Sequence, residues 1–103
     1  MLTHIGVLTL APTATDDHRR AITDGLAALV GQVDGLVSAR TATDLGLRPG
    51  TADVIFEMTF SSREAWEAYG DHPAHKALVA EHIGPVLQDK VFVQTDGFTE
   101  VGA

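Results

Sequence analysis

One phenol and two imidazoles fall within the segment 69–75 of this chain, which reads Tyr-Gly-Asp-His-Pro-Ala-His. Proline favours the first position of a helix and pushes the residue before it out of helical geometry, so Pro73 predicts His72 as the N-cap and His75 in the first turn. There the positive end of the helix dipole disfavours imidazolium and leaves a neutral ring able to accept a proton. If the protein does chemistry, we expect acid–base chemistry by His75 with Tyr69.

Two other interpretations of this segment stay open. The His-x-x-His spacing could present two nitrogens to a metal ion on one helical face. Pro73 disturbs that geometry, however, and Asp71 and Glu57 are candidates for a third ligand by residue type alone. Tyr69 and His75 could also form a buried, hydrogen-bonded cluster with no catalytic role. No glycine-rich phosphate loop follows a strand, and we predict neither a metal ion nor an organic cofactor.

Composition restricts the class of protein. The 103 residues carry a formal charge of −7 with only seven Lys and Arg, which argues against a nucleic-acid or anionic-membrane partner. The chain has no cysteine, so disulfides and thiolate chemistry are excluded. No run reaches the roughly 18 apolar residues that a membrane span needs. We expect one domain over residues 1–103, with an ordered core at about 2–98, in a cytoplasmic protein.

Hydrophobic periodicity and turn residues predict a ferredoxin-like α+β domain with the element order βαββααβ. The predicted strands cover residues 2–10, 36–43, 53–60 and 89–95. The first helix begins near Thr15 and ends near Gly35; the second follows Ser61 or Ser62 and ends at Gly70; the third runs from Pro73 to about His82 or beyond.

Strand parity separates a core face from an outer face, because successive side chains point to opposite sides of a sheet. Even-numbered positions of the first and third strands are the more apolar, and we assign them to the helix side: Leu2, Leu8, Leu10, Val54, Phe56, Met58 and Phe60. His4 and Gly6 share this parity, so His4 should point toward the layer that holds His75. Gly6 leaves either a cavity beside His4, which we favour, or room for close packing.

The odd face of the same strands carries Ile5, Val7 and Ile55, which are too apolar to be left in water. The helices are already used on the other face. A second copy of the chain is therefore the simplest cover, and we predict an isologous homodimer through this sheet face, with a barrel-like interior.

Four segments together resemble the stress-responsive dimeric α/β-barrel (Dabb) family. They are residues 4–8 (His-Ile-Gly-Val-Leu), 60–65 (Phe-Ser-Ser-Arg-Glu-Ala), 69–75 and 91–93 (Val-Phe-Val). The resemblance implies a homodimer of ferredoxin-like subunits, a dimeric α+β barrel. The family is functionally mixed: many bacterial members have no assigned activity, and a plant polyketide cyclase among them closes a ring by cofactor-free aldol condensation with a Tyr/His pair.

Carried over to this chain, the resemblance places the catalytic pair at Tyr69 and His75, with His4 as a further catalytic residue on the adjoining strand. It also predicts a substrate pocket, to which we add His72, lined by Gly6, Leu8, Ile22, Leu26, Val54, Phe56, Leu78 and Val86.

The function predicted on this basis is acid–base chemistry on a small hydrophobic carbonyl or polyketide-type ligand. His75 would remove a proton alpha to a carbonyl, and Tyr69 would donate a hydrogen bond to the oxygen as it becomes an enolate. This is an aldol, cyclase-like or lyase-type reaction. The alternative is a stress-responsive dimer that binds a ligand without turnover.

Overall fold

Four strands form one antiparallel sheet in the computed structural model, which describes residues 1–103. They are β1 (Leu2–Leu10), β2 (Leu36–Thr43), β3 (Val54–Phe60) and β4 (Leu87–Thr95), in the spatial order β2-β3-β1-β4. Helices cover one face of this sheet. The arrangement confirms the predicted ferredoxin-like α+β pattern. None of the helices has the length and hydropathy that a membrane-spanning segment needs.

The first helix, α1 (Asp16–Ala28), is shorter than predicted. It begins at a reciprocal cap: the Thr15 hydroxyl accepts a hydrogen bond from the His18 backbone N–H, and the Thr15 backbone N–H donates to His18 Nδ1 at 2.9 Å. The helix ends seven residues before Gly35, because Gly31 adopts a left-handed φ of +93° and the chain passes through turns to β2.

The next two helices position the segment 69–75. The second helix, α2 (Arg63–Tyr69), is capped by Ser62, whose hydroxyl accepts a hydrogen bond from the Ala65 N–H at 3.1 Å. The third, α3 (Pro73–Leu78), is capped by His72, whose Nδ1 accepts from the Ala74 N–H at 3.0 Å. Both predicted N-caps are thus present, and Gly70 ends α2 as expected.

The third helix does not continue as an α-helix to His82. After Leu78 it widens into a π turn (Val79–Ile83) and then a 3₁₀ turn (Gly84–Val86). The Gly84 N–H donates to the Val79 carbonyl five residues back, and a Cβ at Gly84 would lie 2.9 Å from that oxygen. Glycine therefore permits the wide turn. The last strand begins at Leu87, two residues earlier than predicted. Thr9 lies opposite Asp89 and Leu10 opposite Leu87, so the pairing contains one extra residue in β4.

The core lies between the helices and the even face of the sheet. His4, Gly6, Leu8 and Leu10 are buried in β1, and the even positions 54–60 of β3 are buried as well. Leu2 is only partly buried. The space over Gly6 is not a cavity, which corrects that expectation: a Cβ there would lie 2.2 Å from two atoms of the Phe56 ring. The absence of a side chain at Gly6 allows the Phe56 ring to occupy this space.

Adding a methyl group at Gly6 should therefore destabilise the protein. We expect Gly6→Ala to lower the free energy of unfolding by about 1–3 kcal/mol, because the Phe56 ring must move from its place beside His4 and Phe92. Urea unfolding measures the change. Gly97→Ala is the matched control, since no atom lies within 4 Å of a Cβ there. An equal effect at both positions would show that the Phe56 contact is not the cause.

The odd face of the sheet carries an apolar patch that no helix covers. We call Ile5, Val7, Ile55, Val91 and Val93 the outer-face patch. The strand register brings them together: Val7 lies opposite both Ile55 and Val91, and Ile5 lies opposite Val93. Val91 is 63% exposed and Val93 53%. The patch thus extends across three neighbouring strands.

Candidate active site

A cavity of about 500 Å³ opens between the helices and the β4 edge of the sheet. The even positions of β4 face the helix side, because Phe92 lies opposite Gly6 and Lys90 opposite Leu8 in β1. Phe92 is nevertheless 44% exposed. Nine of the fourteen lining residues are hydrophobic. This size and lining are typical of a small-molecule site.

The three residues predicted to carry the chemistry all lie on the cavity wall. His4 comes from β1, Tyr69 from the end of α2 and His75 from the first turn of α3. Three of the predicted pocket residues join them: Leu8, Leu26 and Phe56. The topology thus brings together side chains that are separated by up to 71 positions in the sequence.

The other predicted pocket residues do not line this cavity, for reasons that the packing makes plain; they are Gly6, Ile22, Val54, His72, Leu78 and Val86. Gly6 lies beneath the Phe56 ring, and Ile22 and Val54 are enclosed in the core. Leu78 packs against α1, where a Cβ at Gly25 would lie 2.3 Å from its Cδ1. Val86 is likewise buried in the core. The His72 ring is used as a helix cap.

Eight lining residues were not predicted: Trp66, Glu67, Gly70, Val79, Ile83, Leu87, Lys90 and Phe92. For Lys90 and Phe92 a signal existed, because they alternate with the apolar Val91 and Val93 in the last strand. Which of the two alternating sets faces the helices depends on how this strand pairs with β1. Val79 and Ile83 belong to the π turn, which α-helical periodicity does not describe.

His75 and Tyr69 are in direct contact, with ring centroids 4.2 Å apart. His75 Nδ1 lies 3.1 Å from the Gly70 carbonyl oxygen. A carbonyl can only accept, so Nδ1 carries the proton and Nε2 keeps its lone pair. Burial lowers the pKa of His75, the charges of His72 and Lys90 lower it further, and the hydrogen bond to Gly70 opposes them. The lowered pKa favours the neutral ring at neutral pH, and burial is its largest cause.

Tyr69 is held in its protonated form. Its side chain is 6% exposed, and this burial raises the pKa of the phenol above its usual value. No fully buried side-chain polar atom lacks a hydrogen-bond partner. The Tyr69 hydroxyl makes no hydrogen bond within the protein, and so it keeps access to the cavity. It is available as a donor to a ligand oxygen.

His4 lies beside Tyr69, with ring centroids 6.2 Å apart. The Gln94 amide donates to His4 Nδ1 at 2.8 Å, which leaves the proton of the neutral ring on Nε2. Burial lowers the pKa of His4 to about 4, and the charge of His75 contributes in the same direction. His4 is therefore a neutral hydrogen-bond donor above pH 5.

This low pKa makes stability depend on pH. The unfolded chain takes up a proton at His4 near pH 6.5, whereas the folded protein does so only near pH 4. The unfolded state binds more protons between these values, so the stabilisation is complete above pH 6.5 and lost as pH falls to 4. The free energy of unfolding should therefore decrease between pH 7 and pH 4, and we expect this decrease to be smaller by up to about 3 kcal/mol in His4→Gln. Urea unfolding at the two pH values measures it. His82→Gln, at an exposed histidine, should leave the loss unchanged.

The two histidines of the segment 69–75 each use one ring nitrogen in a hydrogen bond to the backbone. His72 Nδ1 accepts from a backbone N–H, and His75 Nδ1 donates to a backbone carbonyl. No group of three or more His, Asp or Glu side chains in the chain is arranged to hold a metal ion.

Residues 2–95 match the family model of the Stress responsive A/B Barrel Domain, Dabb. The chain belongs to this family. Among solved structures, the Dabb chain is similar to a dimeric ferredoxin-like protein of unknown function from Thermobifida fusca. The two are 31% identical over 91% of this chain and 88% of that one, with a TM-score of 0.79. No curated protein is close enough in sequence to count as a relative of this Dabb chain.

Two further structures share the Dabb fold at lower identity. An Arabidopsis thaliana protein is 24% identical over the whole of both chains, with a TM-score of 0.81. A hydroxynitrile lyase from Passiflora edulis is 17% identical over 95% of this chain and 96% of that one, with a TM-score of 0.76. At these identities the likeness shows the fold alone.

Proposed function

We propose that this Dabb protein is a homodimeric, cofactor-independent acid–base enzyme that acts on a small hydrophobic carbonyl compound. One observation carries the proposal: a neutral imidazole, His75, and a protonated phenol, Tyr69, touch each other on the wall of an apolar cavity. A base and a hydrogen-bond donor side by side are what enolisation of a carbonyl compound requires.

The proposed reaction begins when His75 Nε2 takes a proton from the carbon next to a carbonyl. The electrons of the broken C–H bond form a C=C bond, and the carbonyl oxygen becomes an enolate that accepts a hydrogen bond from Tyr69. His4 Nε2–H serves as a second donor beside it. In an aldol or cyclase-like reaction, the enolate carbon attacks a second carbonyl of the same molecule. The new alkoxide then recovers the proton from His75, so no oxidant, reductant or cofactor is consumed.

Other Dabb-fold proteins are consistent with this class. A hydroxynitrile lyase has the same fold, which supports the proposal that a site on this fold can catalyse a lyase-type reaction. Several similar structures are described as dimeric, and the outer-face patch gives this chain an apolar surface for an isologous dimer. The cytoplasmic location and the lack of nucleic-acid and membrane partners stay predictions from composition.

Proton exchange tests the proposal most directly. β-Diketones and β-ketoacyl thioesters are incubated with the protein in deuterated buffer, and deuterium uptake at the acidic carbon is followed by NMR. We expect exchange above the buffer rate, proportional to protein concentration, for at least one panel member. Exchange at the buffer rate with every member would count against an enzyme of this class.

The second candidate is a stress-responsive dimer that binds a ligand without turnover. The mainly apolar lining favours it, and so does His4, whose Nδ1 is already satisfied by Gln94. Binding of a panel member without exchange would support this candidate.

A further inference from the structure

Lys90 is the only lysine or arginine on the cavity wall, and it has no ion-pair partner. It lies at an even position of β4, opposite Leu8 in the register, and its side chain lines the cavity. The ammonium group lies 5.6 Å from the centroid of the Phe92 ring. None of the ion pairs in the structure includes Lys90.

The only acidic residue of the cavity wall is already paired elsewhere. Arg63 Nε donates to Glu67 Oε1 at 2.9 Å, one turn along α2. The positive charge of Arg63 therefore partly offsets that of Glu67. Lys90 is the unpaired charged side chain that a ligand in the cavity would contact. The chain as a whole carries −7 and repels anions. An unpaired ammonium in this cavity is thus a local exception to the charge of the molecule.

The position of Lys90 also relates it to the catalytic residues. Lys90 and His75 line the same cavity, and the charge of Lys90 contributes to lowering the pKa of His75. The Phe92 ring lies beside both Lys90 and His4, and its centroid is 5.2 Å from that of the His4 ring. A ligand with its carbonyl at Tyr69 and its apolar part along Phe92 would present its other end to Lys90.

We propose that Lys90 binds a carboxylate of the ligand, so that the cavity selects a small oxo carboxylate with an apolar body over neutral carbonyl compounds. A single ammonium suits a singly charged group, whereas phosphate sites usually combine several donors or an arginine fork. This inference rests on the proposed function, because it names the substrate class of the same site.

The test compares hexanoate with hexanamide, two probes of similar size that differ in charge. Chemical-shift changes of the backbone amides give both dissociation constants. For the wild type we expect hexanoate to bind about tenfold more tightly than hexanamide, as one hydrogen bond to a charged group predicts. In Lys90→Met the two probes should bind within about twofold of each other, with the affinity for hexanamide unchanged. Lys90→Arg should restore the preference.

Lys76→Met is the matched control. Lys76 lies outside the cavity, with its ammonium 3.9 Å from Asp71, so its loss changes the net charge equally. The preference for hexanoate should persist in it. Equal binding of the probes by the wild type, no binding of either, or a preference that survives Lys90→Met or disappears in Lys76→Met would overturn the inference.

Failure of this inference and failure of the proposed function give different results. Proton exchange with a neutral β-diketone but no carboxylate preference leaves the acid–base function in place and removes Lys90 from it. A Lys90-dependent preference without any exchange keeps the binding role and removes the catalytic one.

Discussion

Replacement of His75 by alanine should lower the protein-dependent rate of deuterium exchange by about 10²–10⁴-fold, the usual contribution of a general base. His75 is the group whose free Nε2 and lowered pKa suit it to accept the proton. The rate is measured by NMR on whichever panel member the wild type exchanges fastest. His75→Gln should lose the same factor, since an amide can still donate to the Gly70 carbonyl but cannot act as a base.

His82→Ala is the control for this experiment. His82 lies in the π turn that continues α3, is exposed and does not line the cavity. Its exchange rate should equal that of the wild type. If His75→Ala keeps the wild-type rate while its amide spectrum shows a folded protein, His75 is not the base.

The second large effect is expected on assembly. Val91→Glu places a carboxylate in the outer-face patch, opposite Val7. In an isologous dimer each copy contributes one such group, and burying an unpaired charge costs several kcal/mol. We expect the dissociation constant of the homodimer to rise by at least about 10³-fold. Size-exclusion chromatography with light scattering over a dilution series measures it.

The side chain at this position is already 63% exposed in the single chain, so the fold itself should tolerate Val91→Glu. Val30→Glu adds the same charge at an exposed valine in the turn after α1, outside the outer-face patch, and should leave the dimer intact. A dimer that survives Val91→Glu, or a wild type that is monomeric at all concentrations, would contradict assembly through this face.

The sequence predicted the fold where a pattern is local and regular. Alternation along β1 and β3 identified the buried residues of both strands, and Pro73 and Ser62 marked where two helices begin. Helix ends were harder to predict. The apolar residues after Ala28 continue the helical period although the chain has already turned at Gly31.

For the candidate site, the sequence pattern predicted the three polar residues better than the apolar residues that line the rest of the cavity. His4, Tyr69 and His75 converge because parity and a helix start determine their directions. The position of Lys90 depends on how β4 pairs with β1. The positions of Val79 and Ile83 depend on a π turn, which has one residue more than an α-helical turn, so the α-helical repeat does not predict them. The ring over Gly6 is a tertiary contact, and a glycine in a strand does not reveal which neighbour fills its space.

The register of β4 serves two surfaces at once. Its even residues Lys90 and Phe92 form part of the cavity wall, and its odd residues Val91 and Val93 belong to the outer-face patch. A slip of one residue would exchange the two sets and place a lysine in the patch and valines on the wall. This register changes by one residue between Thr9 and Leu10, close to where Leu87 begins the strand. A change in chain length at this corner would therefore alter the cavity wall and the outer-face patch together.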